Sequence, residues 1–233
     1  MVCGGKSIVT DWNYKKIDNL VNKHLTAFLG DEKHSMNPID IDRFIQEYLG
    51  MEICYRKLSE HGDILGVSIF SDMTLSFFEG DKFVEEFYAG GTIIIEEDLL
   101  DDNQYGRRNF TKAHEAAHGI LNFENPTEKA VYYRRNNNNS FYERLIDKAA
   151  AKLLLPDELV IKTFYAFIGT EHIHRLNPLC NQQHFKNFKF LARYLGVSRK
   201  ALSLRLLQLG LVDVADYEIP HNFLNISCEG DII

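Results

Sequence analysis

No stretch of this 233-residue chain is apolar over the ~20 residues that a bilayer-spanning helix needs, so membrane insertion is not expected. Residues 1–11 lack the apolar run of a secretory leader, and the chain reads as cytoplasmic. Cysteine is scarce, with four residues at positions 3, 54, 180 and 228 and no close pair among them. That spacing suits neither a disulfide framework nor a cysteine-rich zinc site, and fits reduced thiols. Internal repeats are absent, and the one low-complexity tract is Asn136–Asn139. An excess of positive charge is missing too. With 26 basic and 33 acidic residues the formal net charge is −7, which argues against nucleic acid as the partner of the molecule as a whole. What remains is an ordinary folded composition, long enough for one or two compact units.

Hydrophobic spacing gives the elements. Ile17, Leu20, Val21, Leu25 and Phe28 recur every three or four residues, predicting a helix over about 11–29 that Gly30 stops. A second helix is expected from about Pro38 to Gly50. Three β-like runs follow, Met51–Leu58, Ile64–Phe70 and Met73–Phe78, each closed by turn residues such as Gly62-Asp63 and Gly80-Asp81. Thr92–Glu96, with three consecutive isoleucines, is a fourth strand, either an exposed edge or a buried core strand. Beyond Gly106 the pattern turns helical: Phe110–Phe123, Ser140–Leu155, about 156–167, His184–Leu195 and Arg199–Leu209, the last with Ser198 as its cap. Glu124–Asn139 reads as a polar loop between the first two of these helices. The fold class is α+β.

The chemistry sits in Phe110-Thr-Lys-Ala-His114-Glu115-Ala-Ala-His118, an H-E-x-x-H motif inside a helix. Residues four apart share one helix face, so both imidazoles can reach one cation, and Glu115 can act on a water there without being a ligand. The bland alternative is a surface helix with two unrelated histidines. The apolar neighbours Ala113, Ala116, Ala117, Ile120 and Leu121 argue for burial, and buried neighbouring imidazoles need a shared partner. A catalytic zinc site requires a third protein ligand. Glu143 and Asp147 are again four apart on a helix, which allows Glu143 to bind the metal while Asp147 accepts a hydrogen bond from a ligand imidazole. Glu124 and Glu128 are rivals for the third position, in a polar loop where solvated carboxylates are the default. His172 and His174 can point the same way on a strand, but surface histidines are the simpler reading. No oxyanion stabiliser stands out: Tyr132, Tyr133, Tyr142, His172 and His174 all have the chemistry.

Together these segments resemble the ImmA/IrrE family of zincin-like metallo-endopeptidases. Arg108-Asn-Phe110-Thr111-Lys-Ala113-His114-Glu115-Ala-Ala-His118 is similar to the family's R-x-F-T-x-A-H-E-x-x-H, and Glu143–Pro156 to its E-x-x-A-[DN]-x-F-A-x-x-L-L-x-P. Pro38–Asp42, with Tyr48–Ile53, resembles its helix-to-strand entry, and Leu195–Leu211 its helix-turn-helix-like piece. Ile146 and Ala149 depart from the pattern, both at apolar packing positions. The resemblance implies a zincin-like domain over residues 1–170, with a small mixed or antiparallel sheet and active-site helices, a helix-turn-helix-like region over 171–212, and a tail over 213–233. It further implies Zn2+ held by His114, His118 and Glu143, Glu115 as catalytic base, and a protein substrate, a helix-turn-helix transcriptional repressor.

One competing reading comes from charge. From Ile173 to Val212 there are seven basic residues and no acidic one, a segment of +7 that leaves −14 for the remainder of a chain whose total is −7. A basic helix pair on an acidic body is the footprint of a DNA-binding regulator, of a docking surface for a protein, or of a solvated face. An inactive zincin scaffold is a third class.

Overall fold

In the computed structural model, residues 13–79, 82–124, 126, 130–135 and 140–215 are described. The expected Gly80-Asp81 turn, the asparagine tract, Glu128, Cys3, Cys228 and the tail beyond residue 215 lie outside them. Two compact units emerge, one comprising Met1–Ser35 with Ile39–Pro156 and the other Met36–Pro38 with Asp157–Ile233. Among the described residues no helix is long and apolar enough to cross a membrane, and Cys54 and Cys180 are free thiols.

The first unit opens with α1 (Tyr14–Leu29), capped by the Asn13 side chain and burying Ile17, Leu20, Val21 and Leu25. A short α2 (Ile41–Arg43), capped by Asp40, runs into a wider π-type turn, Phe44–Tyr48, and so covers less than the expected 38–50. The strands are β1 (Glu52–Arg56), β2 (Ile64–Ile69), β3 (Met73–Glu79), β4 (Lys82–Tyr88), β5 (Thr92–Glu96) and β6 (Val131–Arg135). Four of them form a mixed sheet in the order β1-β5-β2-β6, parallel between β1 and β5 and antiparallel elsewhere. β3 and β4 form a separate antiparallel hairpin. Two helices complete the unit, α3 (Tyr105–Glu124) and α4 (Phe141–Leu154).

Both faces of the sheet are covered. Val67, Ile69 and Ile94 pack with Phe77 of the hairpin, while the alternate positions of β2 and β5 face α3. β5 is therefore buried at every position, as its isoleucine run requires. It lies between β1 and β2, so of the two readings of Thr92–Glu96 the core strand is right and the exposed edge is wrong. β6 is the edge beside β2, and it occupies part of the segment read as a loop. α4 packs on α3, and α1 on α4.

The second unit holds α5 (Asp157–Ile168), β7 (Ile173–Leu176), α6 (Gln182–Tyr194), α7 (Arg199–Gln208) and β8 (Val212–Ala215). β7 and β8 pair in parallel. Asn181 caps α6 and Ser198 caps α7, with Leu195–Ser198 between the two helices. Phe164, Phe188, Leu191, Leu202 and Leu206 form its interior.

Ile94, at the middle of β5 and fully buried, tests this arrangement. Ile94→Ala removes packing from the face opposite α3 and is expected to cost about 2–5 kcal/mol, read as a lowered urea midpoint at unchanged slope.

Candidate metal centre

Three alanines, Ala113, Ala116 and Ala117, give α3 high intrinsic helicity and let neighbours approach closely. Every residue from Thr111 to Leu121 is buried, because the helix is wrapped by the sheet on one side and by α4 on another. His114, Glu115 and His118 are thus held in an interior where an uncompensated polar atom is costly.

α4 supplies the compensation. The Ser140 hydroxyl accepts a hydrogen bond from the Glu143 backbone N–H (3.2 Å), fixing the start of the helix and placing Glu143 in its first turn. Glu143 and Asp147, one turn apart, bracket a single imidazole. Asp147 Oδ1 is 2.9 Å from His114 Nδ1, and Glu143 Oε2 is 3.1 Å from His114 Nε2. The second is a close ion-pair approach, and among the described residues the buried His114 Nε2 has no hydrogen-bond partner. Glu143 Oε2 also lies 3.8 Å from His118 Nε2.

Among the described residues, His114, His118 and Glu143 are the group whose nitrogen and oxygen ligand atoms all lie within 4.8 Å of one another. Tetrahedral zinc with bonds of about 2.1 Å separates its ligand atoms by roughly 3.4 Å. The two nitrogen-to-oxygen separations, 3.1 and 3.8 Å, bracket that value. Two imidazoles with one carboxylate are also a donor set that zinc accepts. The residues fit a metal.

The charges agree with that reading. Burial works against an imidazolium at His114, yet Asp147 and Glu143 draw a proton to it and hold its pKa above the ordinary value. A cation at Nε2 would occupy the same place in the field. Burial, opposed by His114 and by the Ser68 hydrogen bond, raises the Glu115 carboxyl. For Asp147 burial acts upward, but the His114 contact and the Arg134 charge prevail and hold it low.

Two strands form the floor of the site, and each contributes alternate residues to one face. Gly66 of β2 lies opposite Arg134 of β6, and Ser68 opposite Tyr132. A Cβ on Gly66 would lie 2.5 Å from Glu115 Oε1, so any other residue here would push that carboxylate from its place. Ser68 Oγ is 2.5 Å from Glu115 Oε2. The Tyr132 ring stacks on His118 at 4.5 Å, and Tyr142 Oη is 3.4 Å from His118 Nδ1. The Arg134 guanidinium lies over the Phe110 ring and 3.7 Å from Asp147. Gly66, Ser68 and Arg134 do not stand out in the sequence as site residues. Their signals are a Gly-x-Ser interrupting an aliphatic strand, and Val131-Tyr-Tyr-Arg-Arg135, a strand composition inside a polar segment.

The other candidates lie elsewhere. Glu124 pairs with Lys23 (2.6 Å) and His24 (3.2 Å) and is not part of the triad, and Glu128 is outside the described residues. Tyr133 is more than one-third exposed. In the second unit, His172 and His174 share the exposed carboxylate of Asp213 at 2.9 and 2.7 Å.

The family profile Peptidase_M78, described as the IrrE N-terminal-like domain, matches residues 46–207, a span that contains α3, β6 and α4. A search of the curated proteins found no match.

The contact at Gly66 is directly testable. Gly66→Ala is expected to destabilise the protein by about 1–3 kcal/mol, and most of that loss should vanish in a Glu115→Ala background, where the obstructing carboxylate is gone. Equal penalties in both backgrounds, measured by chemical denaturation, would contradict the close approach of β2 to α3.

Proposed function

The chain belongs to the IrrE N-terminal-like family of metallopeptidases, and from that premise we propose that it is a zinc-dependent endopeptidase in which His114, His118 and Glu143 hold the ion and Glu115 is the general base. The observation that carries the reading is the convergence of two buried imidazole nitrogens and one carboxylate oxygen within 4.8 Å of one another, with a second buried carboxylate alongside. Zinc bound there would supply Lewis acidity, polarising the scissile carbonyl and acidifying the attacking water.

The protein's own groups do the rest. Glu115 takes the water's proton at Oε1, which is buried and has no hydrogen-bond partner among the described residues, and returns it to the leaving amine. Burial raises its affinity for a proton, which suits a base that takes one from water and later gives it up. Asp147 accepts from Nδ1–H of His114, leaving the Nε2 lone pair for the ion. Tyr132, stacked on His118, fixes that ring and shields it from water. Among the described strands β6 is paired only with β2, so its other edge can receive an extended peptide by backbone hydrogen bonds.

For the substrate, kinship favours a helix-turn-helix transcriptional repressor. The region 171–212, basic and free of acidic residues from 173 onward, is the surface by which such a protein would be selected. This role accounts for the basic stretch without requiring DNA binding by an otherwise acidic molecule.

Elemental analysis separates ligand from base. Wild type should carry one equivalent of zinc and His114→Ala close to none, while Glu115→Gln keeps the metal. Hydrolysis should follow the base: incubation of zinc-loaded wild type with cell lysate should generate chelator-sensitive new N-termini, detected by mass spectrometry. Glu115→Gln should reduce their rate of appearance by at least about a hundredfold, within the range that general-base catalysis supplies. Identical termini at equal rates from both proteins would dismiss Glu115 as the base.

A further inference from the structure

We propose that Ser68 is a positioning residue for the general base, holding one carboxylate oxygen of Glu115 so that the other alone is available to take a proton; this rests on the reading of Glu115 given above. A carboxylate presents two equivalent oxygens and turns about its last bond, so a base that must act along one line needs something to distinguish them. Ser68 Oγ lies 2.5 Å from Glu115 Oε2 and 3.3 Å from the Glu115 carbonyl oxygen. A hydroxyl has one proton to donate, and the nearer, charged acceptor takes it. Oε1 is left buried and, among the described residues, without a hydrogen-bond partner. Ser68 and Glu115 are both fully buried, so no bulk water competes for either oxygen.

The strand explains why the hydroxyl comes from this position. Gly66 and Ser68 are two residues apart on β2 and lie on the same face, toward α3. The first makes space for Oε1 by lacking a Cβ, and the second grips Oε2 with the shortest side chain that carries a donor. The pair forms a slot into which Glu115 fits in one orientation. A contact serving only to join β2 to α3 would be met by apolar packing at less desolvation cost.

The probe is acetohydroxamic acid, which chelates an active-site metal and passes its proton to the neighbouring base, titrated calorimetrically into zinc-loaded protein. Ser68→Ala is expected to keep one zinc equivalent and to bind the probe about tenfold more weakly, because a carboxylate no longer held in one attitude is aimed at the probe for only part of the time; the lost hydrogen bond by itself would act the other way, since it favours the charged carboxylate. On a target recovered from the lysate experiment, kcat should fall by a similar factor with KM unchanged. Ser68→Cys, close in volume but a weak donor, should resemble Ser68→Ala. The proposal is overturned if Ser68→Ala binds within twofold of wild type while Glu115→Ala binds weakly, if Ser68→Cys behaves as wild type, or if Ser68→Ala loses its zinc. Unchanged probe affinity in Glu115→Ala would remove the base assignment itself, and this proposal with it.

Discussion

The packing of α4 on α3 is the constraint from which the rest of the first unit follows. His114 and His118 are buried where the sheet and α4 wrap α3, and on that helix only the neighbouring Glu115 charge works against the desolvation of His114. The offset arrives from a second helix, through Glu143 and Asp147, which approach the two nitrogens of His114 from opposite sides. Ser140 sets the register of that helix, and an alanine-rich interface allows the close approach. Lys148 and Asp18, paired at 2.9 Å, tie the outer side of α4 to α1, so α4 is held from two directions.

The sheet completes this pairing by being different on its two faces. Toward the hairpin it presents Val67, Ile69 and Ile94, a conventional apolar surface. Toward α3 it presents glycine, serine, tyrosine and arginine at the paired positions of β2 and β6, and each meets a polar group or ring of the site: Glu115, Glu115, His118 and Asp147. Both faces are buried, so departures from aliphatic side chains on one of them are informative. Where burial alone would favour valine or isoleucine, Gly66 and Ser68 indicate accommodation of something other than hydrocarbon.

Much of this was legible in the residues. The H-E-x-x-H spacing and the E-x-x-x-D spacing each place two groups on one helix face, and the structure brings the four residues His114, His118, Glu143 and Asp147 together. The helices were readable because their periodicity extends over many residues. β6 was not: five residues are too few for periodicity, and the flanking asparagines and two arginines outweighed Val131, Tyr132 and Tyr133 in composition. Thr92–Glu96 was readable as a strand but ambiguous in position, since three isoleucines suit a buried strand and say nothing of which neighbours bury it. β8, four residues long, escapes for the same shortness, whereas the seven residues of β4 are interrupted by Glu85 and Glu86, and α3 begins at Tyr105, before Gly106, because a glycine near a helix start costs little that tertiary packing cannot override. The floor of the site depends on strand register, and register is a relation between distant segments that no local pattern encodes.

His118 and Glu143 are separated by 24 residues, 119–142, which include an entire strand. On the proposed reading, the donor set does not exist in a chain still being synthesised until α4 has left the ribosome and docked. At about 5–20 residues per second, that interval lasts on the order of seconds. A hydrolase built this way is inert as a nascent polypeptide, and becomes competent only when its interior has closed around the last carboxylate.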